Sequence, residues 1–128
     1  MLKPIVKFNF FLLLIYLIFF IVIYKSFSHA ILEYSEPGRR AVLYRSPNKV
    51  ILTFNENIEE NFAKIKVIDA NDKILVHNKK ALNLEGDKKS IYIDIPEFSK
   101  GTYFIQYEVI SVDGHKVKGR YKFSIKNN

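Results

Sequence analysis

The strongest constraint on this chain is a hydrophobic period of two. From Lys49 to Phe54 the apolar residues Val50, Leu52 and Phe54 alternate with Ile51 and Thr53, the pattern of a strand buried on one face and partly on the other. The period returns at Ile91, Ile93 and Ile95 around Tyr92 and Asp94, and at Tyr121, Phe123 and Ile125 around Lys122 and Ser124. An apolar run at 65–68 leads through Asn71 and Asp72, a turn signal, into a second run at 74–76. Residues 103–112 are apolar in both phases except at Gln106, Glu108 and Ser111, as in a central strand. Beyond residue 28 no segment sustains a helical period, although 58–66 has room for a short helical turn. Turn residues at 36–38, 85–87 and 99–101 separate these runs. Six or seven short strands spaced in this way predict an all-β domain, a Greek-key antiparallel β-sandwich or barrel of immunoglobulin-like or cupredoxin-like type.

The first 28 residues are a different material. They hold 21 of the 62 hydrophobic residues, three basic residues (Lys3, Lys7, Lys25) and no acid. Lys3 and Lys7 precede an uncharged run at 8–24, and Ser26, Phe27 and Ser28 follow it. Basic residues, an apolar stretch and small residues three and one before a cleavage point form the order of a secretory signal, which predicts 1–28 as a signal peptide and 29–128 as the mature domain. The alternative is an uncleaved anchor, because 17 uncharged residues reach the low end of the roughly 17–25 that span a bilayer.

This division changes the meaning of the charge. The whole chain is +7, but residues 29–128 carry 17 basic and 13 acidic residues, or +4. The pairs Arg39 and Arg40, Lys79 and Lys80, and Lys88 and Lys89 fall near predicted turns and strand ends, where charge discourages edge pairing. They read as solvated edges and not as a nucleic-acid track. The chain has no cysteine, which excludes disulfides, zinc ribbons, iron–sulfur clusters and cysteine nucleophiles. Its one methionine is Met1, which leaves with the signal, so the mature domain contains no sulfur.

Few residues remain for chemistry. Cleavage after Ser28 makes His29 the first residue, with an amine and a ring nitrogen that together form a chelate. Asp113 and Gly114 follow the long apolar strand and read first as a hairpin turn. His115 is not needed for that turn, and residues two apart across the glycine can point the same way, presenting an oxygen and a nitrogen to one ion. An amine, two imidazoles and a carboxylate suit Cu(II), with Ni(II) or Zn(II) as chemical alternatives, and offer nothing soft for Cu(I). Idle roles stay open for each: His29 as an exposed terminus, Asp113 as a turn residue.

The residues also match a known pattern. His29 with Ala30; Ser35, Glu36, Pro37; Phe54, Asn55, Glu56, Asn57, Ile58; Gly101, Thr102, Tyr103; and Ser111, Val112, Asp113, Gly114, His115 with Gly119, Tyr121 and Phe123 beyond resemble the CopC family of periplasmic copper-resistance and copper-trafficking proteins along essentially the whole mature segment. The resemblance implies a Greek-key β-sandwich or barrel that binds one Cu(II) per chain through His29, Asp113 and His115. Glu56 matches an acidic residue near this site in some members and is a weaker candidate. The implied function is an exported, periplasmic Cu(II) carrier or buffer, not an enzyme, that hands copper to a CopD-type membrane transporter. Departures are the absence of any Met at 68–84, where many members have a Met-rich Cu(I) site, and Tyr107, Glu108 and Lys116 where Trp, a basic residue and Pro are usual. His77 falls in that region and reads as a surface residue. Two other readings remain: a copper monooxygenase-type enzyme, since such oxidases also use an N-terminal His with a second His, although the Asp113 carboxylate would help to fill its copper; and an exported structural or adhesive sandwich without metal.

Overall fold

The computed structural model describes residues 4–23 and 29–126. The cleavage site expected after Ser28 lies outside the described residues. The chain starts with helix α1 (Pro4–Ile23). Its described apolar side chains, among them Phe8, Leu13 and Phe19, are exposed, and none of them joins the core. Over the described residues no helix is long and apolar enough to cross a membrane.

Nine strands follow among the described residues. They begin with β1 (Leu32–Glu36), β2 (Val42–Leu43), β3 (Lys49–Phe54), β4 (Lys64–Asp69) and β5 (Ile74–Lys80). They continue with β6 (Leu82–Leu84), β7 (Asp87–Asp94), β8 (Gly101–Ile110) and β9 (Lys116–Ile125). One sheet has the order β1-β3-β7-β6 and the other β2-β9-β8-β4-β5, with the chain crossing between sheets after β1, β2, β3, β5 and β7. The helical turn expected within 58–66 is a single 3₁₀ turn at Glu60–Phe62.

The alternation read from the sequence is the packing pattern. Val50, Leu52 and Phe54 of β3 are fully buried, and they face Ile65, Ile105 and Phe123 of the opposing sheet. The two-phase apolar run is β8, flanked by β9 and β4 in the middle of its sheet. At Tyr107 the packing needs a glycine opposite: Gly119 pairs with Tyr107, and a Cβ there would lie 2.2 Å from the Tyr107 ring.

The structure departs from an all-antiparallel sandwich at β2, which runs parallel to β9. This two-residue strand carries the chain from the first sheet to the free edge of the second, held by Ser124 N–H to the Ala41 carbonyl at 2.9 Å and Lys126 N–H to the Leu43 carbonyl at 2.8 Å. Tyr121, buried on β9, donates from its hydroxyl to the Pro37 carbonyl at 2.9 Å and anchors the crossing loop; burial raises its ionisation far above the usual range.

Candidate metal centre

The loop between β8 and β9 is fixed by its own polar groups. Ser111 N–H bonds to the His115 carbonyl at 3.0 Å and Gly114 N–H to the Ser111 carbonyl at 2.8 Å. Gly114 has φ of 90°, a conformation that side-chain-bearing residues rarely adopt. Ser111 is fully buried, and its hydroxyl donates to Asp113 Oδ1, which also accepts from His115 N–H at 3.0 Å. The other carboxylate oxygen, Oδ2, lies 3.0 Å from His115 Nδ1. The two residues expected to point the same way across Gly114 therefore do so.

The N-terminal segment reaches this loop through the residues after β3. Asn55 Oδ1 accepts from Ile31 N–H at 2.6 Å, and Asn55 N–H donates to the Ile31 carbonyl at 3.0 Å. On the other side, Val112 N–H donates to the Asn57 carbonyl at 3.1 Å, and Ile58 bridges to Ser111. Residues 55–58 thus connect the start of the domain to the late loop, and the ring centroids of His29 and His115 stand 5.1 Å apart, edge to face.

Sequence reasoning named His29, Asp113 and His115, and the structure brings them together as two contacts sharing His115. Among the described residues no group of three His, Asp or Glu side chains is already gathered closely enough to hold a metal ion. With Ser28 before it in the sequence, the His29 backbone nitrogen is a peptide nitrogen, and His115 Nδ1 is turned toward Asp113. The side chains of His115 and Asp113 are 40% and 37% exposed, so an ion can reach them. Glu56 is half-buried in the connecting segment, and its carboxylate makes no hydrogen bond or ion pair with the other three. His77 is exposed on β5, as expected of a surface residue. The positioning roles of Asn55 and Ser111 were missed; both act on backbone or carboxylate groups that no sequence period reveals.

Three donors hold the Asp113 carboxyl down at about 2: the Ser111 hydroxyl first, then the His115 N–H and the His115 ring. A depressed carboxyl stabilises the folded state above its ordinary value of 3.8, and the contribution is lost as pH falls through about 2. A carboxyl-detected NMR titration of the metal-free protein should show Asp113 with a midpoint near 2, and Ser111→Ala should raise it. A midpoint at the ordinary value would refute the hydrogen-bond network. For Asn55→Ala we expect a stability loss of about 1 kcal/mol, measured by denaturant unfolding, from the unmet Ile31 N–H.

Comparison with known proteins bears on what this loop is. The family described as the CopC domain matches residues 32–126. The chain belongs to the CopC family. Among similar proteins, Protein YobA of Escherichia coli K12 is 33% identical over 100 residues, covering 77% of this chain and 80% of that protein. The Copper transport protein CutJ of Bacillus subtilis is 32% identical over 113 residues, which cover 88% of this chain but 21% of CutJ. The crystal structure of CopC from Methylosinus trichosporium OB3b aligns with a TM-score of 0.73 and 28% identity over 78% of this chain and 96% of that one. That of PcoC, a methionine-rich copper resistance protein from Escherichia coli, aligns with 0.66 and 26% over 77% of this chain and all of that one. His29 lies ahead of the matched residues 32–126, while Asp113 and His115 fall within them.

Proposed function

We propose that the chain is exported and that its mature domain carries one Cu(II) through His29, Asp113 and His115, with Glu56 as an accessory carboxylate beside the site. The observation that carries this reading is the His29–His115 pair at 5.1 Å with Asp113 3.0 Å from His115. Relatives named for copper transport and copper resistance supply the metal. PcoC is described as methionine rich, whereas the one methionine here is Met1, and a nitrogen and oxygen set favours Cu(II) over Cu(I).

Removal of the leader after Ser28 converts the His29 nitrogen from an amide to an amine and completes the chelate. Metal entry then draws Asp113 and His115 from each other onto the ion. Binding and release by ligand exchange, without bond-making in a substrate, fits a carrier or buffer in copper resistance, homeostasis or trafficking. The periplasm is the compartment this implies, and a CopD-type membrane transporter is the acceptor that the family resemblance implies. Nitrogen donors bind a metal only in their unprotonated form, so acid favours release of the copper.

The test compares protein beginning at His29 with protein carrying one extra alanine before it, each titrated with Cu(II) against a chelator. One ion per chain is expected for the first, and the extra residue should weaken binding by more than the roughly 10–100-fold that changes behind the ligands cost. Equal affinities would remove the amine from the site; no stoichiometric copper in either would end the proposal.

A further inference from the structure

Strand β9 turns a row of cations outward. Its inward residues Tyr121, Phe123 and Ile125 are buried, so the alternate positions Lys116, Lys118, Arg120 and Lys122 share the outer face, with Lys126 continuing the phase just beyond the strand. From Lys116 to Lys122 these neighbours are about 6.6 Å apart, and Lys126 lies about 13 Å from Lys122, beyond Ser124. On the adjoining strand β8, outward positions opposite them are Ile110, Glu108, Gln106 and Phe104. The one carboxylate there, Glu108, is shared between Lys116 at 2.6 Å and Lys118 at 3.2 Å. Arg120 lies over the Phe104 ring at 4.3 Å and pairs with Asp72 at 3.2 Å. Among the described residues no carboxylate pairs with Lys122, Lys126 or Arg40.

Arg40 belongs to the same surface: its N–H bonds to the Lys122 carbonyl at 2.7 Å. Arg39, Arg40, Phe104, Arg120 and Lys122 line one depression of about 460 Å³. A neighbouring depression is lined by Arg39 and Arg120 together with Ala30, Ile31 and Leu32, the residues through which the chain enters the domain. The basic face therefore borders the point where the leader is attached. Residues 24–28 separate helix α1 from His29.

We infer that this face, centred on Arg120, Lys122 and Arg40, docks on anionic phospholipid headgroups. Before the leader is removed, α1 with its exposed apolar side chains brings the domain to a bilayer surface, and the face beside residues 30–32 carries Lys122, Lys126 and Arg40, which no carboxylate among the described residues pairs. Phosphate-bearing headgroups at the membrane surface attract such a cluster, most strongly at low salt. The reading stands apart from copper, since none of these residues belongs to the His29, Asp113 and His115 cluster.

The test uses residues 29–128, whose core is complete without α1. The metal-free segment is sedimented with vesicles of equal parts phosphatidylglycerol and phosphatidylcholine, and with phosphatidylcholine alone. Binding to the anionic vesicles that vanishes at about 1 M salt is expected. The double variant Lys122→Glu with Lys126→Glu should weaken it about tenfold or more. The charge-matched pair Lys88→Glu with Lys89→Glu, on β7 of the other sheet, should change it little. Equal losses in the two variants would show a net-charge effect and overturn the face. No binding to anionic vesicles would overturn the lipid and leave an acidic protein as the occupant. Because no copper is present, either result leaves the metal site untouched.

Discussion

His115→Ala in protein beginning at His29 is expected to lower Cu(II) affinity more than about 100-fold, or about 2.7 kcal/mol. His115 joins the two contacts of the candidate site: its ring faces His29 at 5.1 Å and its Nδ1 lies 3.0 Å from Asp113. In the proposed site its removal would take away a nitrogen donor and the contact between the two other proposed ligands. The loop itself should survive, because Ser111 N–H bonds to the main-chain carbonyl of residue 115 and Asp113 Oδ1 accepts from its N–H. Unfolding stability without metal should therefore change by no more than about 0.5 kcal/mol, in the range of exposed sites. Chelator competition measures the affinity, and electron paramagnetic resonance should count one fewer nitrogen on the copper. Asp113→Asn should fall between wild type and His115→Ala, since an amide oxygen can still reach the ion without its charge. Undiminished affinity in His115→Ala would remove this loop from the copper site.

What the sequence made legible follows from which interactions leave a period behind. Strands β3 and β8 were readable because each buries a face over at least six residues, and burial imposes alternation. β1 was not, because a bulge between Leu32 and Tyr34 shifts its register and gives Leu-Glu-Tyr-Ser-Glu no clean alternation. β2 and β6, with two and three residues, are too short to show any period, so the parallel pairing of β2 with β9 was hidden as well. In the site, Asp113, Gly114 and His115 were visible because a turn signal explained the first two and left the third unexplained. Asn55 and Ser111 were present in the matched motifs, but their work is done on main-chain and carboxylate groups distant in sequence or set by loop geometry. The cations of β9 were also visible as alternate residues. Basic pairs near turns drew the reading instead, and only the fold shows Arg40 beside Lys122.

Phe54→Ala should cost about 3–5 kcal/mol of folding stability, measured by denaturant or thermal unfolding of the metal-free domain. Phe54 is fully buried at the end of β3 and meets Tyr107 edge to face, with centroids 5.6 Å apart. Truncation leaves a cavity that the rigid pairing of β3 between β1 and β7 prevents from closing. For a domain of this size the loss corresponds to a Tm lower by roughly 12–40 °C. With no cysteine to cross-link it, the metal-free domain has only its packing and hydrogen bonds to oppose this. The next residue is Asn55, which holds Ile31, so the same cavity loosens the segment that presents His29. Copper should then recover part of the stability, because a ligand that binds only the folded state adds RT ln(1 + [L]/Kd). Leu82→Ala, at a side chain 44% exposed on the edge strand β6, should cost less than about 1 kcal/mol and serves as the control. A loss below 1 kcal/mol at Phe54 would mean that the two sheets are not held by this core. Undiminished copper affinity in a destabilised Phe54→Ala would mean that the core and the metal loop are independent.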